Sequence, residues 1–160
     1  MMNERRCNID QNEFTVRCLP AEDTPAALTL IWKVFTEYEA PDYEPEGTEE
    51  FRKCLNDDKY LAGIRYYGAF DEKKLVGILG IRDERHHICF FFVEGDYQRR
   101  GIGTKLFHRM MEDYPGQTIS LNSSPFGLAF YKALGFRTVD SEQTVNGIRF
   151  TPMEYKGEQK

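Results

Sequence analysis

Gln98-Arg99-Arg100-Gly101-Ile102-Gly103 connects a run of aromatic and β-branched residues to a helical pattern. A helix opens with N–H groups that have no internal partner and with a partial positive charge. Glycine lets the backbone approach a ligand without a Cβ in the way. Gly101 and Gly103, with Arg99, Arg100 and Lys105 adding charge at the rim, therefore describe an anion nest suited to a phosphate. It is neither of two familiar nests. A dinucleotide fingerprint needs a third glycine where position 106 is Leu, and a P-loop needs GxxxxGK[ST] where Gly103 is followed by Thr104-Lys105.

Acids gather elsewhere, at Glu37, Glu39, Asp42, Glu44, Glu46, Glu49 and Glu50. A chain basic in one region and acidic in another suits an anionic cofactor and a cationic substrate, although two ordinary solvated faces give the same pattern. The net charge of -5 argues against general nucleic-acid binding. The four cysteines are unpaired in sequence and widely spaced, which argues against a zinc site, and no metal is expected. His86 and His87 are adjacent, so in a strand they face opposite ways and make a poor metal pair. The N-terminus carries charge without a following apolar segment, and no run approaches a membrane span. A cytoplasmic protein with no membrane partner is expected.

A length of 160 residues suits one domain, and 41% apolar residues suffice for a core. Residues 1–12 read as a polar tail, 13–156 as the domain and 157–160 as a second tail. Phe14 to Leu19 reads as a strand, and Asp23-Thr24-Pro25 opens a helix over 25–39 with Leu28, Ile31, Trp32, Phe35 and Tyr38 on one stripe. A Pro- and Gly-containing loop follows, then a helix capped by Thr48 and ended by Asn56-Asp57-Asp58. Ile64–Phe70, Leu75–Ile81 and His86–Val93 are strands joined by short turns, hence antiparallel neighbours. The helix after the glycines leads to a strand at Thr118–Leu121, and that crossover implies a parallel pair. Ser124-Pro125 opens a last helix ended by Gly135, and strands at Phe136–Val139 and Ile148–Tyr155 close the chain around Asn146-Gly147. The prediction is an α/β fold: a mixed, mostly antiparallel sheet of about seven strands flanked by about four helices.

On these elements the motif Gln98-x-x-Gly101-x-Gly103 resembles the acetyl-CoA loop of the GCN5-related N-acetyltransferase (GNAT) superfamily. The approach through Phe91-Phe92-Val93-Glu94 and the downstream Ala129-Phe130-Tyr131-Lys132-Ala133-Leu134-Gly135-Phe136 are similar to that family's fourth strand and second signature. The likeness spans about residues 14–155 and is sharp over 90–136. Gly95 stands where the family often has proline, a change expected to affect turn stiffness more than binding.

The resemblance implies an N-acetyltransferase that moves an acetyl group from acetyl-CoA to a primary amine, more readily a small molecule than a protein. The alternative is a non-catalytic acyl-CoA-binding module on the same fold. Backbone groups of Phe91 and Val93 would meet the pantetheine arm where the fourth and fifth strands splay. Gln98, Arg99, Arg100, Gly101, Ile102, Gly103 and Thr104 would hold the pyrophosphate on their N–H groups. Asn122 would contact the pantetheine or simply shape its loop. Tyr131 would serve as general acid to the leaving thiolate, with Gly127 leaving room for the cofactor. The family shares no single base. Glu94, after the fourth strand, is one candidate, and Asp42, Tyr43 and Glu46, in a loop resembling a wall of the acceptor site, are others. A homodimer is compatible with the resemblance.

Overall fold

Strand-forming runs with short turns build the sheet. The computed structural model describes residues 14–157, and the expected tails lie outside them apart from Gly157, whose N–H donates to the Gln117 carbonyl (3.1 Å). Strands Phe14–Cys18 (β1), Ile64–Asp71 (β2), Lys74–Arg82 (β3) and His87–Val93 (β4) pair antiparallel in succession. Thr118–Ser123 (β5) joins β4 in parallel, and Ile148–Lys156 (β8) returns antiparallel on β5. The spatial order is β1-β2-β3-β4-β5-β8-β6, with Arg137–Thr138 as β6, and Gln143–Val145 (β7) pairs with β8 beyond it.

Alternation along the strands divides the core in two. Tyr67, Ala69, Val76, Leu79 and Ile88 face the helix Ile102–Asp113 (α4), whose stripe of Ile102, Leu106, Phe107 and Met110 is buried as its spacing predicts. Tyr66, Ile78, Phe90 and Phe92 face the other way, onto Ala27, Leu30, Ile31 and Val34 of the helix Thr24–Val34 (α1). The central strands therefore pack against both clusters, with alternate residues of β4 buried and half-buried. Among the described residues no helix is long and apolar enough to cross a membrane.

Five details differ from the sequence expectation. Among the described residues the sheet has eight strands, because Asn146 and Gly147 both take left-handed φ (53° and 81°), the geometry of a tight hairpin turn, and pair β7 with β8. The helix Pro45–Leu55 (α2) starts on its proline after an extended Glu44, so Thr48 lies inside it and caps nothing. The Asn56-Asp57-Asp58 stop is also a start: the Asp57 carboxylate accepts from the N–H groups of Lys59 and Tyr60 (3.0 and 3.2 Å), opening the short helix Asp58–Leu61 (α3). The last helix begins at Leu128 (α5, Leu128–Leu134), and Ser124 instead caps the turn before it, accepting from the Gly127 N–H at 3.1 Å. Finally, α1 gives way at Val34 to a wider π turn over Phe35–Glu39, in which the Ala40 N–H reaches the Phe35 carbonyl.

Phe107 is fully buried, with ring centroids 5.5 Å from Phe136 and 5.0 Å from Tyr155. Truncation there leaves a cavity between α4 and the sheet. Phe107→Ala is expected to lower the unfolding free energy by about 3–5 kcal/mol, read from denaturant titration.

Candidate functional site

Only two residue pairs join β4 to β5, His87 with Ser120 and Ile88 with Leu121. Beyond them the strands part, while β3 accompanies β4 to Val93. The Glu94 N–H donates to the Val76 carbonyl of β3 (2.9 Å). By alternation the backbone groups of Phe92 point the same way, and those of Phe91 and Val93 point into the gap. The Val93 carbonyl accepts from the Gln98 side-chain amide at 2.9 Å. A ligand entering the gap therefore meets Phe91 and the N–H of Val93 as strand-like partners.

The glycine loop lies at the end of this gap. Arg99 and Gly101 both have left-handed φ, 64° and 83°, on either side of Arg100. That alternation turns successive N–H groups toward one side, ahead of the α4 N-terminus. A cavity of about 720 Å³ runs from the loop to the splay, bordered by Gln98, Arg99, Gly101, Gly103 and Thr104. Of the expected cationic rim, Arg99 borders this cavity. Arg100 stacks its guanidinium on Phe14 and Tyr97 (5.1 and 5.3 Å), and the Lys105 ammonium donates to the Phe14 carbonyl (3.1 Å). Ile102 contributes a buried side chain to the core and its N–H to the helix start. Gly103 lies against the Phe130 ring: a Cβ there would lie 2.7 Å from Cζ, and the ring would have to shift.

A smaller cavity of about 290 Å³ opens on the other side of the splay. Glu39, Phe91, Phe92 and Tyr131 border both cavities and so form their junction. Tyr131 is packed among the rings of Phe91, Phe130 and Phe136, and burial pushes its phenol far up, so it stays protonated. Gly127 does not make room for a ligand alone: a Cβ there would lie 2.8 Å from Cε2 of Tyr131, so the glycine seats the tyrosine ring. The Tyr38 hydroxyl presses on Gly95, where a Cβ would lie 2.1 Å from it; a proline ring has no space there.

Glu39 is the group the sequence reading passed over. Burial raises its carboxyl to about 7, the Ser124 hydroxyl partly offsets this, and Asp42 adds to it. The signal was present: Glu39 stands four residues after Phe35, an acid on the apolar stripe of the first helix. The π turn over Phe35–Glu39 then delivers it to the junction.

The other expected residues separate. Tyr43 borders the smaller cavity and packs on Phe35 (5.5 Å), but Asp42 and Glu46 are exposed and border neither. Asn122 borders the smaller cavity, away from the glycine loop. Glu94 borders neither. It is 8% exposed and ion-paired to Lys33 and Lys74, which gives it a structural position at the end of β4. His87 borders the smaller cavity, with Nδ1 2.8 Å from the Ser120 hydroxyl, and burial and two nearby arginines lower its basicity.

The junction thus offers a carboxyl that exchanges a proton near neutrality beside a phenol that keeps its own. The first property has a stability consequence. Between the ordinary carboxyl value of 4.5 and about 7 the unfolded chain has lost the Glu39 proton and the folded chain has kept it, so stability falls as pH rises through this window. Glu39→Gln is expected to remove that loss and to be more stable than the parent at pH 8 by up to about 3 kcal/mol, with the difference shrinking toward pH 4 in paired denaturant titrations.

Residues 39–156 match the acetyltransferase (GNAT) domain family. Solved structures agree with the fold. A GCN5-related N-acetyltransferase from Rhodopseudomonas palustris superposes with a TM-score of 0.73 at 20% identity, over 89% of this chain and 94% of that one. The PaiA N-acetyltransferase from Thermoplasma acidophilum, solved with coenzyme A, gives 0.62 at 19% identity over 89% and 98%. The ribosomal-protein-S18-alanine N-acetyltransferase from Escherichia coli gives 0.62 at 17% identity over 92% and 96%.

Proposed function

Since the chain belongs to the GNAT acetyltransferase family, we propose that it transfers an acetyl group from acetyl-CoA to the nitrogen of a small-molecule primary amine. The observation that carries this is the junction: two cavities of different size and lining meet at Glu39 and Tyr131. A long anionic donor suits the larger, which starts at a helix N-terminus with Arg99 beside it, and the acceptor suits the smaller. The coenzyme A in the Thermoplasma structure supports that choice of donor.

In this reading the pyrophosphate rests on the N–H groups from Arg99 to Thr104, and the pantetheine arm adds to the open edge of β4 at Phe91 and Val93. The thioester then lies at the junction. Glu39, ionised in part near neutral pH, takes a proton from the incoming ammonium. The neutral nitrogen attacks the thioester carbonyl, a C–N bond forms, and the C–S bond breaks. Tyr131 donates its phenolic hydrogen to the departing sulfur, and the second proton leaving the acylated nitrogen restores its phenol. The products are the acetamide, CoA thiol and one proton, and no metal takes part in the proposed steps.

The testing experiment follows free thiol as acetyl-CoA is mixed with a panel of amines, beside a CoA titration. Turnover with an amine is expected; CoA binding absent at millimolar concentration would sink the reading. Gly101→Val places a β-branched residue at φ 83° and is expected to weaken CoA binding at least tenfold with the fold retained. Tyr131→Phe is expected to lower kcat about a hundredfold with CoA affinity nearly unchanged, and a wild-type kcat would remove the acid role. Glu39→Gln is expected to lower kcat/KM to a similar degree and to abolish the rise in rate that the parent shows through pH 7.

A further inference from the structure

Resting on that acyl-transfer reading, we propose that the acceptor is a compact primary amine with an apolar or aromatic body and no acidic group. The first argument is size. A cavity of about 290 Å³ lies at the low end for small-ligand pockets, room for one ring and a short chain. The second is lining. Tyr43, Phe51, Tyr60, Phe90 and Phe150 supply aromatic surface, which favours an apolar body and, at the ring faces, a cation.

The third argument is charge. Glu39 stands at the junction and Glu50 on α2, both bordering the cavity, and among the described residues no lysine or arginine does. His87 is the one bordering group able to become cationic, and burial with Arg85 and Arg82 keeps it neutral. An ammonium entering here finds counter-charge. A carboxylate or phosphate on the acceptor would lose its water, find no lysine or arginine on the cavity wall and meet two glutamates. Amino acids and phosphorylated amines are therefore rejected by the lining itself.

The fourth argument is closure. A Cβ on Gly47 would lie 2.2 Å from the Gly147 carbonyl oxygen, so α2 and the β7–β8 turn meet backbone to backbone. Arg149 adds a second tie, donating to the Asp42 carbonyl at 3.4 Å. Val145 and Asn146 of that hairpin thereby become a wall of the cavity. Where Gly47 and Gly147 touch, a polypeptide acceptor cannot pass between α2 and the hairpin.

The test compares kcat/KM for phenethylamine and phenylalanine, which share a body and differ by a carboxylate, alongside spermidine and a lysine-containing peptide. Phenethylamine is expected to exceed phenylalanine at least 100-fold and to exceed the other two. Glu50→Lys, which puts a cation at the cavity, is expected to narrow the first ratio at least tenfold. Equal or better use of phenylalanine, spermidine or the peptide overturns the proposal and leaves the transferase reading standing. So does CoA binding without turnover of phenethylamine or other apolar monoamines. An unchanged ratio in Glu50→Lys removes the charge argument, and failure to bind CoA overturns the reading beneath it.

Discussion

The parting of β4 from β5 after Ile88 is the constraint on which the rest depends. A strand buried on both faces can leave one edge unpaired only if something else satisfies its backbone groups. The Gln98 amide takes the Val93 carbonyl, and the remainder faces the larger cavity. The gap stays open because β3 and the two cores fix β4 from the other sides. It also fixes where chemistry can occur, since both cavities are openings of the same splay and share its walls.

Two acids illustrate how position decides role. Glu94 and Glu39 are the same residue type, the first buried and the second half-buried. Glu94 lies between Lys33 and Lys74, and its charge is matched within the fold. Glu39 has a serine hydroxyl and a neighbouring acid instead, so burial prevails and the proton is held to about 7. An ionised buried carboxyl without a cation is a destabilising feature, and such features concentrate where a protein does work. Tyr131 shares that surrounding; the nearby Glu39 adds to the burial that keeps its phenol neutral.

The acceptor side is assembled from segments far apart in the chain. The π turn brings Glu39, α2 brings Glu50 and Phe51, β4 brings His87 and Phe90, and the β7–β8 hairpin brings Val145 and Asn146. The contact of Gly47 with Gly147 locks α2 and the hairpin together.

Sequence alone determined the antiparallel run of β2, β3 and β4, the glycine turn at the start of α4 and the place of Tyr131 on the last helix. These rest on local rules: alternation in strands, the helical stripe of α4, and glycines at a helix start, all of which act over a few residues. It also carried two signals that went unused, Asn146-Gly147 as a hairpin turn and Glu39 on an apolar stripe. Tertiary structure decided what each charged side chain meets. Arg99 and Arg100 are adjacent and chemically alike, yet one borders the larger cavity and the other stacks on Phe14 and Tyr97. Asp42 and Glu46 remain in solvent while Glu39 and Glu50 reach a cavity. Burial and counter-charge are set by residues distant in sequence, so no local pattern encodes which acid keeps its proton.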